Sequence, residues 1–169
     1  MRASSHHGAI EAATLAAVAL LLGVMAAPRF GVAAPGPGQN ARAYCALAGN
    51  DDTLRRPPRA LGAAIQRLFD IKGSYALATT YYRCAGGAVL LCNVGANLPC
   101  GKANTAKTLP AATQWCDTHP NSDFIPMVVT GHDTLYSWRC IGRAAHAGAM
   151  VGKLDARGFF AEYWKKLSK

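Results

Sequence analysis

Acidic side chains are scarce in this chain. Nine Asp and Glu stand against eighteen Lys and Arg among 169 residues, a net charge of +9 at pH 7. A glycosidase needs a pair of carboxylates. Here Asp51, Asp52, Asp70, Asp117, Asp123, Asp133, Asp155 and Glu162 offer no obvious pair, and most fall at turns or helix ends, where Asp is a structural residue. No Cys-x-x-Cys occurs and no His lies within two residues of a Cys, which argues against a zinc site. Ser74, Ser122 and Ser137 lack a G-x-S-x-G frame. The glycines between Gly87 and Lys102 are too far apart for a phosphate-cradling loop. The apolar run from Ala12 to Ala27 is shorter than the roughly 20 residues a spanning helix needs.

That run reads instead as the centre of an export signal. Arg2, His6 and His7 precede it, Arg29 closes it, and Gly31 and Ala33 supply small residues for a cut after Ala33; a cut after Ala27 is the alternative. Residues 1–33 are thus expected to be a signal peptide and 34–43 a disordered Pro/Gly linker. A single disulfide-stabilised domain is expected over 44–165, then a basic tail over 166–169. Loss of Arg2, Arg29 and Glu11 would lower the net charge from +9 to +8. A basic exported chain is drawn to anionic surfaces such as lipid headgroups, phosphates and acidic glycans. Scattered cations also serve solubility, and only Arg55–Arg59 (RRPPR) and Trp164–Lys169 (WKKLSK) cluster.

All six cysteines, Cys45, Cys84, Cys92, Cys100, Cys116 and Cys140, lie in the processed part. An even count in a small exported domain implies a disulfide framework, here three bridges.

Arg59 to Ile71 places Leu61, Ala64, Ile65, Leu68 and Phe69 on one helical face, with Pro58 at its entry and Gly73 beyond its exit. Ser74 to Cys84 is crowded with aromatic and β-branched residues and reads as a strand. Gly86-Gly87 turns it into a second strand, Ala88 to Asn93. Pro110 to His119 reads as a short helix, Leu135 to Ile141 as a strand and Ala145 to Leu154 as a weaker one. The fold class is α+β: a small antiparallel sheet or partial β-barrel with one packed helix (59–71), stapled by disulfides.

One frame occurs twice. Tyr82-Arg83-Cys84-Ala85-Gly86 and Trp138-Arg139-Cys140-Ile141-Gly142 both read aromatic–Arg–Cys–x–Gly. Two such strands as neighbours in one sheet would bring Cys84 and Cys140 within the roughly 4.4–6.8 Å Cα separation of a disulfide. Cys100 and Cys116 flank one loop and helix and are paired next, which leaves Cys45 with Cys92. The arginines would then face outward. Arg83, Arg139, Tyr81 and Ser137 would form a basic, aromatic-flanked strip able to hold a carboxylate or phosphate. The plainer reading is a pair of solvating arginines.

The runs from Tyr82 to Thr105, Trp115 to Pro126 and Thr130 to Gly142 resemble an uncharacterised family of small exported, cysteine-rich proteins of rhizobia and their relatives. The resemblance covers most of residues 45–164. It implies a periplasmic cysteine-rich domain and no activity. A fainter similarity, in Tyr82-Arg83-Cys84 and in Thr130-Gly131 with Tyr136, is to the small β-barrel inhibitors of c-type lysozyme in bacterial envelopes. The longer inhibitory motif is absent, and a basic domain would repel a basic lysozyme.

For catalysis the residues offer only His132 with Asp133, in a turn. Neighbouring side chains on extended chain point apart, yet a loop His can act as a general base, which keeps a small periplasmic hydrolase as the alternative. The leading expectation is a non-catalytic, monomeric binding protein, periplasmic or secreted. Its partner would be an anionic envelope component or an acidic protein. No cofactor, metal, specific nucleic-acid motif or transmembrane span of the processed chain is expected.

Overall fold

A computed structural model describes residues 33–95 and 97–168. The expected signal peptide, Ala33 apart, lies outside the described residues. Helix α1 (Ala41–Ala48) starts where the Asn40 side chain accepts the Ala43 N–H at 3.1 Å, and stops at Gly49, whose φ of 67° suits a residue without a Cβ. Ala41 and Cys45 form its buried side. The linker expected over 34–43 therefore gives way to helix at Ala41, and Pro37 is also held, by the Tyr82 hydroxyl donating to its carbonyl at 2.6 Å.

Strand β1 (Asp51–Arg55) follows, then a 3-10 turn (Arg59–Leu61) that runs into α2 (Gly62–Phe69). The amphipathic stretch 59–71 is thus helical, and it ends at Asp70 with φ of 55° rather than at Gly73. The strand expected from Ser74 begins later. Tyr75–Thr79 is a further helix, α3, because Ala76 is fully buried with the α2 side chains, and burial overrides local β preference. Strands β2 (Thr80–Ala85) and β3 (Ala88–Asn93) then form the expected hairpin. The remaining elements are α4 (Pro110–Thr118), α5 (Met127–Thr130), β4 (Tyr136–Ile141), β5 (Ala144–Met150), a 3-10 turn (Ala161–Tyr163) and β6 (Lys165–Lys166).

Two antiparallel sheets result, one ordered β1-β2-β3-β6 and one made of β4-β5, with neither closed into a barrel. The fold is α+β with three disulfides. Residues at the start of the expected basic tail are tied to this sheet: Lys165 and Lys166 pair with Leu91 and Leu90 and Leu167 is buried, while Lys165, Lys166 and Ser168 stay exposed.

The four-stranded sheet is covered on both faces. Tyr82, Cys84, Val89 and Leu91 point toward α1, α2 and α3, while Tyr81 and Leu90 face a second cluster of Cys92, Cys100, Phe159 and Trp164. A third cluster packs Ala112 and Cys116 of α4 on Trp138 and Cys140 of β4.

The bridges are Cys45–Cys84, Cys92–Cys100 and Cys116–Cys140, with Cα separations of 5.1, 5.8 and 5.5 Å. All six cysteines are oxidised, as expected, but none of the three expected pairings occurs. The two aromatic–Arg–Cys strands are not neighbours; they lie in different sheets. Each cysteine of the frame is instead stapled to a helix, Cys84 to α1 and Cys140 to α4.

The frame therefore belongs to a larger repeat. A shift of 71 positions carries Ala41, Tyr44, Cys45 and Asn50 onto Ala112, Trp115, Cys116 and Asn121. A shift of 56 carries the β2–β3 hairpin onto β4–β5, and the cross-strand pairs match: Tyr82↔Leu91, Arg83↔Leu90 and Cys84↔Val89 become Trp138↔Ala147, Arg139↔His146 and Cys140↔Ala145. The turns match as well. Asn50 accepts the Gly86 N–H on its side chain at 2.9 Å, and Asn121 accepts the Gly142 N–H at 2.8 Å. Gly86 and Gly142 have φ of 56° and 58°. Each repeat is a helix, a cysteine staple and a hairpin whose turn is clamped by an asparagine.

Candidate functional site

The repeat divides the expected strip into two equivalent pairs. Tyr81 and Arg83 stand on the first sheet, Ser137 and Arg139 at the same places on the second. Their surroundings differ.

Arg83 has no exposed surface. Its Nη2 donates to the Asp155 carboxylate. Its guanidinium lies 4.1 Å from the Phe159 ring centre and 4.6 Å from that of Trp164, in cation–π contact with both. Among the described residues its Nε and Nη1 find no acceptor. Tyr81 is half-buried beneath Arg56, 4.0 Å from ring centre to guanidinium. Arg83 is therefore not the solvent-facing residue the alternating pattern suggested. It does point away from Cys84, but that face is roofed by residues 155–164.

Arg139 and Ser137 are exposed. They form the floor of an open groove of about 260 Å³, together with Gly148. Phe124, Met127 and Val151 also line it. Residues 122–125 are held by two backbone bonds along β4, Cys140 N–H to the Ser122 carbonyl at 2.8 Å and Ile125 N–H to the Trp138 carbonyl at 2.9 Å. Trp138 is fixed beneath the floor by donating to the Thr134 hydroxyl at 2.9 Å. The absence of a side chain at Gly148 keeps the floor low: a Cβ there would stand 2.6 Å from Ser137 Oγ. Phe124, Met127 and Val151 are 66%, 53% and 58% exposed, an apolar rim around a basic floor.

The electrostatics also separate the repeats. Four ion pairs occur among the described residues, and they use three aspartates: Asp51 with Arg55, Asp52 with Lys102 and Arg157, and Asp155 with Arg83. Hydrogen bonding by the Tyr44 hydroxyl, helped by the Thr53 N–H and Arg55, holds Asp51 well below the usual carboxylate range. Arg157 and then Lys102 lower Asp52. Burial pushes Asp155 up, but the Phe159 and Arg157 N–H groups and Arg83 outweigh it and leave it lowered. None of these carboxylates lies in the second repeat. Asp123 lines the groove, and among the described residues neither it nor any other carboxylate pairs with Arg139.

A second basic cleft, about 250 Å³, is lined by Arg42, Arg67, Leu167 and Ser168. There the Arg42 guanidinium is already engaged, donating to the Ser168 carbonyl. His132 is exposed, and among the described residues its ring makes no hydrogen bond, so no oriented base–nucleophile pair is assembled around it. No group of three or more His, Cys, Asp or Glu is placed to hold a metal among the described residues, and none of the described helices is long and apolar enough to cross a membrane.

Phe124, Met127, Gly148 and Val151 were not among the expected site residues. A sequence signal for the repeat did exist, in Ala-x-x-aromatic-Cys-x-x-x-x-Asn at Ala41 and again at Ala112. No family model matches the chain, nor does any curated protein or solved structure.

Proposed function

We propose that this is a periplasmic or secreted binding protein whose Arg139 groove takes an anionic group of a partner. One observation carries the reading. At the same position in the first repeat the arginine is matched by a carboxylate and two aromatic rings, whereas Arg139 stands open and unmatched in the floor of an apolar-rimmed groove. A guanidinium presents a planar fork suited to carboxylate or phosphate. Three disulfides fit a compartment outside the reducing cytoplasm, and the resemblance to small exported cysteine-rich proteins points the same way.

The test is titration with a hexaglutamate peptide at low and moderate salt. Binding should weaken with salt and be lost in Arg139→Ala, while Arg67→Ala, in the other basic cleft, retains it. Equal loss in both variants, or none in Arg139→Ala, would overturn the groove as the site and leave only bulk attraction.

A further inference from the structure

The first repeat shows what covers such a groove. Residues 155–167 close it in three ways. Asp155 pairs with Arg83. Phe159 and Trp164 lie over the guanidinium. Lys165 and Lys166 pair along β3, and the Leu167 N–H donates to the Val89 carbonyl at 2.9 Å. In the second repeat the positions of Val89 and Leu91 are taken by Ala145 and Ala147. The tight turn Gly142-Arg143 makes Ile141↔Ala144 the closing hydrogen-bonded pair, so bonding alternates and the N–H and C=O groups of Ala145 and Ala147 point away from β4. Among the described residues nothing bonds to them, and β5 pairs with β4 alone. Strand β5, AAHAGAM, carries no Lys or Pro to blunt that edge.

We infer that β5 is a docking edge for an extended segment of a partner protein. The segment adds a strand beside Ala145 and Ala147, sets a carboxylate on Arg139 and lays apolar or aromatic side chains into the Phe124, Met127 and Val151 rim. This rests on the reading of the Arg139 groove given above and names its partner. Two observations select a segment that offers a carboxylate and aromatic rings: the chain's own precedent, where Asp155, Phe159 and Trp164 cover the equivalent arginine, and the charge of the surface, where Arg139 and Arg143 are exposed. Main-chain bonds along an open edge with pockets for alternate side chains are a common mode of peptide capture. A second copy of the chain is a poorer match, because its 155–167 segment is already committed to its own β3 and its β5, AAHAGAM, has no carboxylate to offer Arg139.

The probe is a blocked synthetic peptide with the sequence of Lys153–Leu167, added to the full chain and followed by amide hydrogen exchange. It should slow exchange at Ala145 and Ala147. The peptide carrying Asp155→Lys should bind about tenfold more weakly, the loss of a charge-assisted bond, and the protein variant Arg139→Asp should restore its binding. Ala147→Pro, which removes an outward N–H, should abolish the effect while hexaglutamate still binds. If exchange at Ala145 and Ala147 is unchanged while hexaglutamate binds at Arg139, the docking edge is refuted and the anionic groove stands. If neither probe binds, both readings fall. Perturbation at β3 and Trp164 instead would mean that the peptide displaces the chain's own strand, and protection that rises with protein concentration alone would make a second copy the occupant. Either result overturns the inference.

Discussion

Asp155→Asn isolates the charge that Arg83 depends on. Asp155 Oδ1 accepts the Arg157 N–H at 2.8 Å and the Phe159 N–H at 3.1 Å, and an asparagine oxygen can keep both bonds. What changes is the other atom. The Asn amide turns a donor toward Arg83 Nη2, itself a donor, and the guanidinium loses the only ion pair recorded for it among the described residues. The Arg83 side chain has no exposure, so water cannot take over. Removing one partner of a buried pair costs about 3–5 kcal/mol. Asp155 itself is 24% exposed, and the screening this allows brings the expected loss to about 2–3 kcal/mol. With a urea m-value of about 1–3 kcal/mol/M for a small protein, the unfolding midpoint should fall by about 0.7–3 M. Arg139→Ala, on an exposed position, should stay within about 0.5 kcal/mol of the parent. The assay is urea unfolding followed by tryptophan fluorescence, with the m-value unchanged. If Asp155→Asn costs no more than Arg139→Ala, the buried pair is not what holds residues 155–167 on the first sheet, and the contrast between the repeats loses its energetic basis.

Acid should destabilise the fold in a defined window. Asp51, Asp52 and Asp155 are all lowered in the folded state, so the unfolded chain binds more protons once pH falls toward its carboxylate pKa of about 3.9. Their stabilisation is present above that value and lost as pH falls through the folded values. The melting temperature should therefore drop below about pH 4, less steeply in Asp52→Asn, as read by thermal melts at stepped pH. Asn50→Ala and Asn121→Ala should each cost about 1 kcal/mol, one hydrogen bond to a turn glycine apiece. A large effect at one and none at the other in thermal unfolding would contradict the equivalence of the two turns. Peptide mapping without reduction should recover Cys45–Cys84, Cys92–Cys100 and Cys116–Cys140, and replacing Cys116 and Cys140 together by Ser should cost about 2–5 kcal/mol in urea unfolding.

Local pattern decided much of this fold. The apolar stripe of 59–71, the Gly86-Gly87 turn between two β-rich runs and Pro110 at a helix entry are readable because neighbours in sequence set the period and the turn. The alternation of Trp138 and Cys140 inward with Ser137 and Arg139 outward was readable for the same reason. The even set of cysteines announced three bridges. Yet YRC and WRC look alike to each other, and nothing in that likeness says whether the two strands are partners or copies.

That question is answered only by which helix packs on which hairpin. Cys84 meets Cys45 because α1 lies on the first sheet, and Cys140 meets Cys116 because α4 lies on the second. The fates of the two arginines diverge for a reason equally remote in sequence. Residues 155–167 fold back over β2 and β3, so Arg83 is desolvated and must be matched by Asp155, while its twin at Arg139 keeps an open face. Alternation along a strand says which side a residue is on; what lies on that side is set by chain more than seventy residues away.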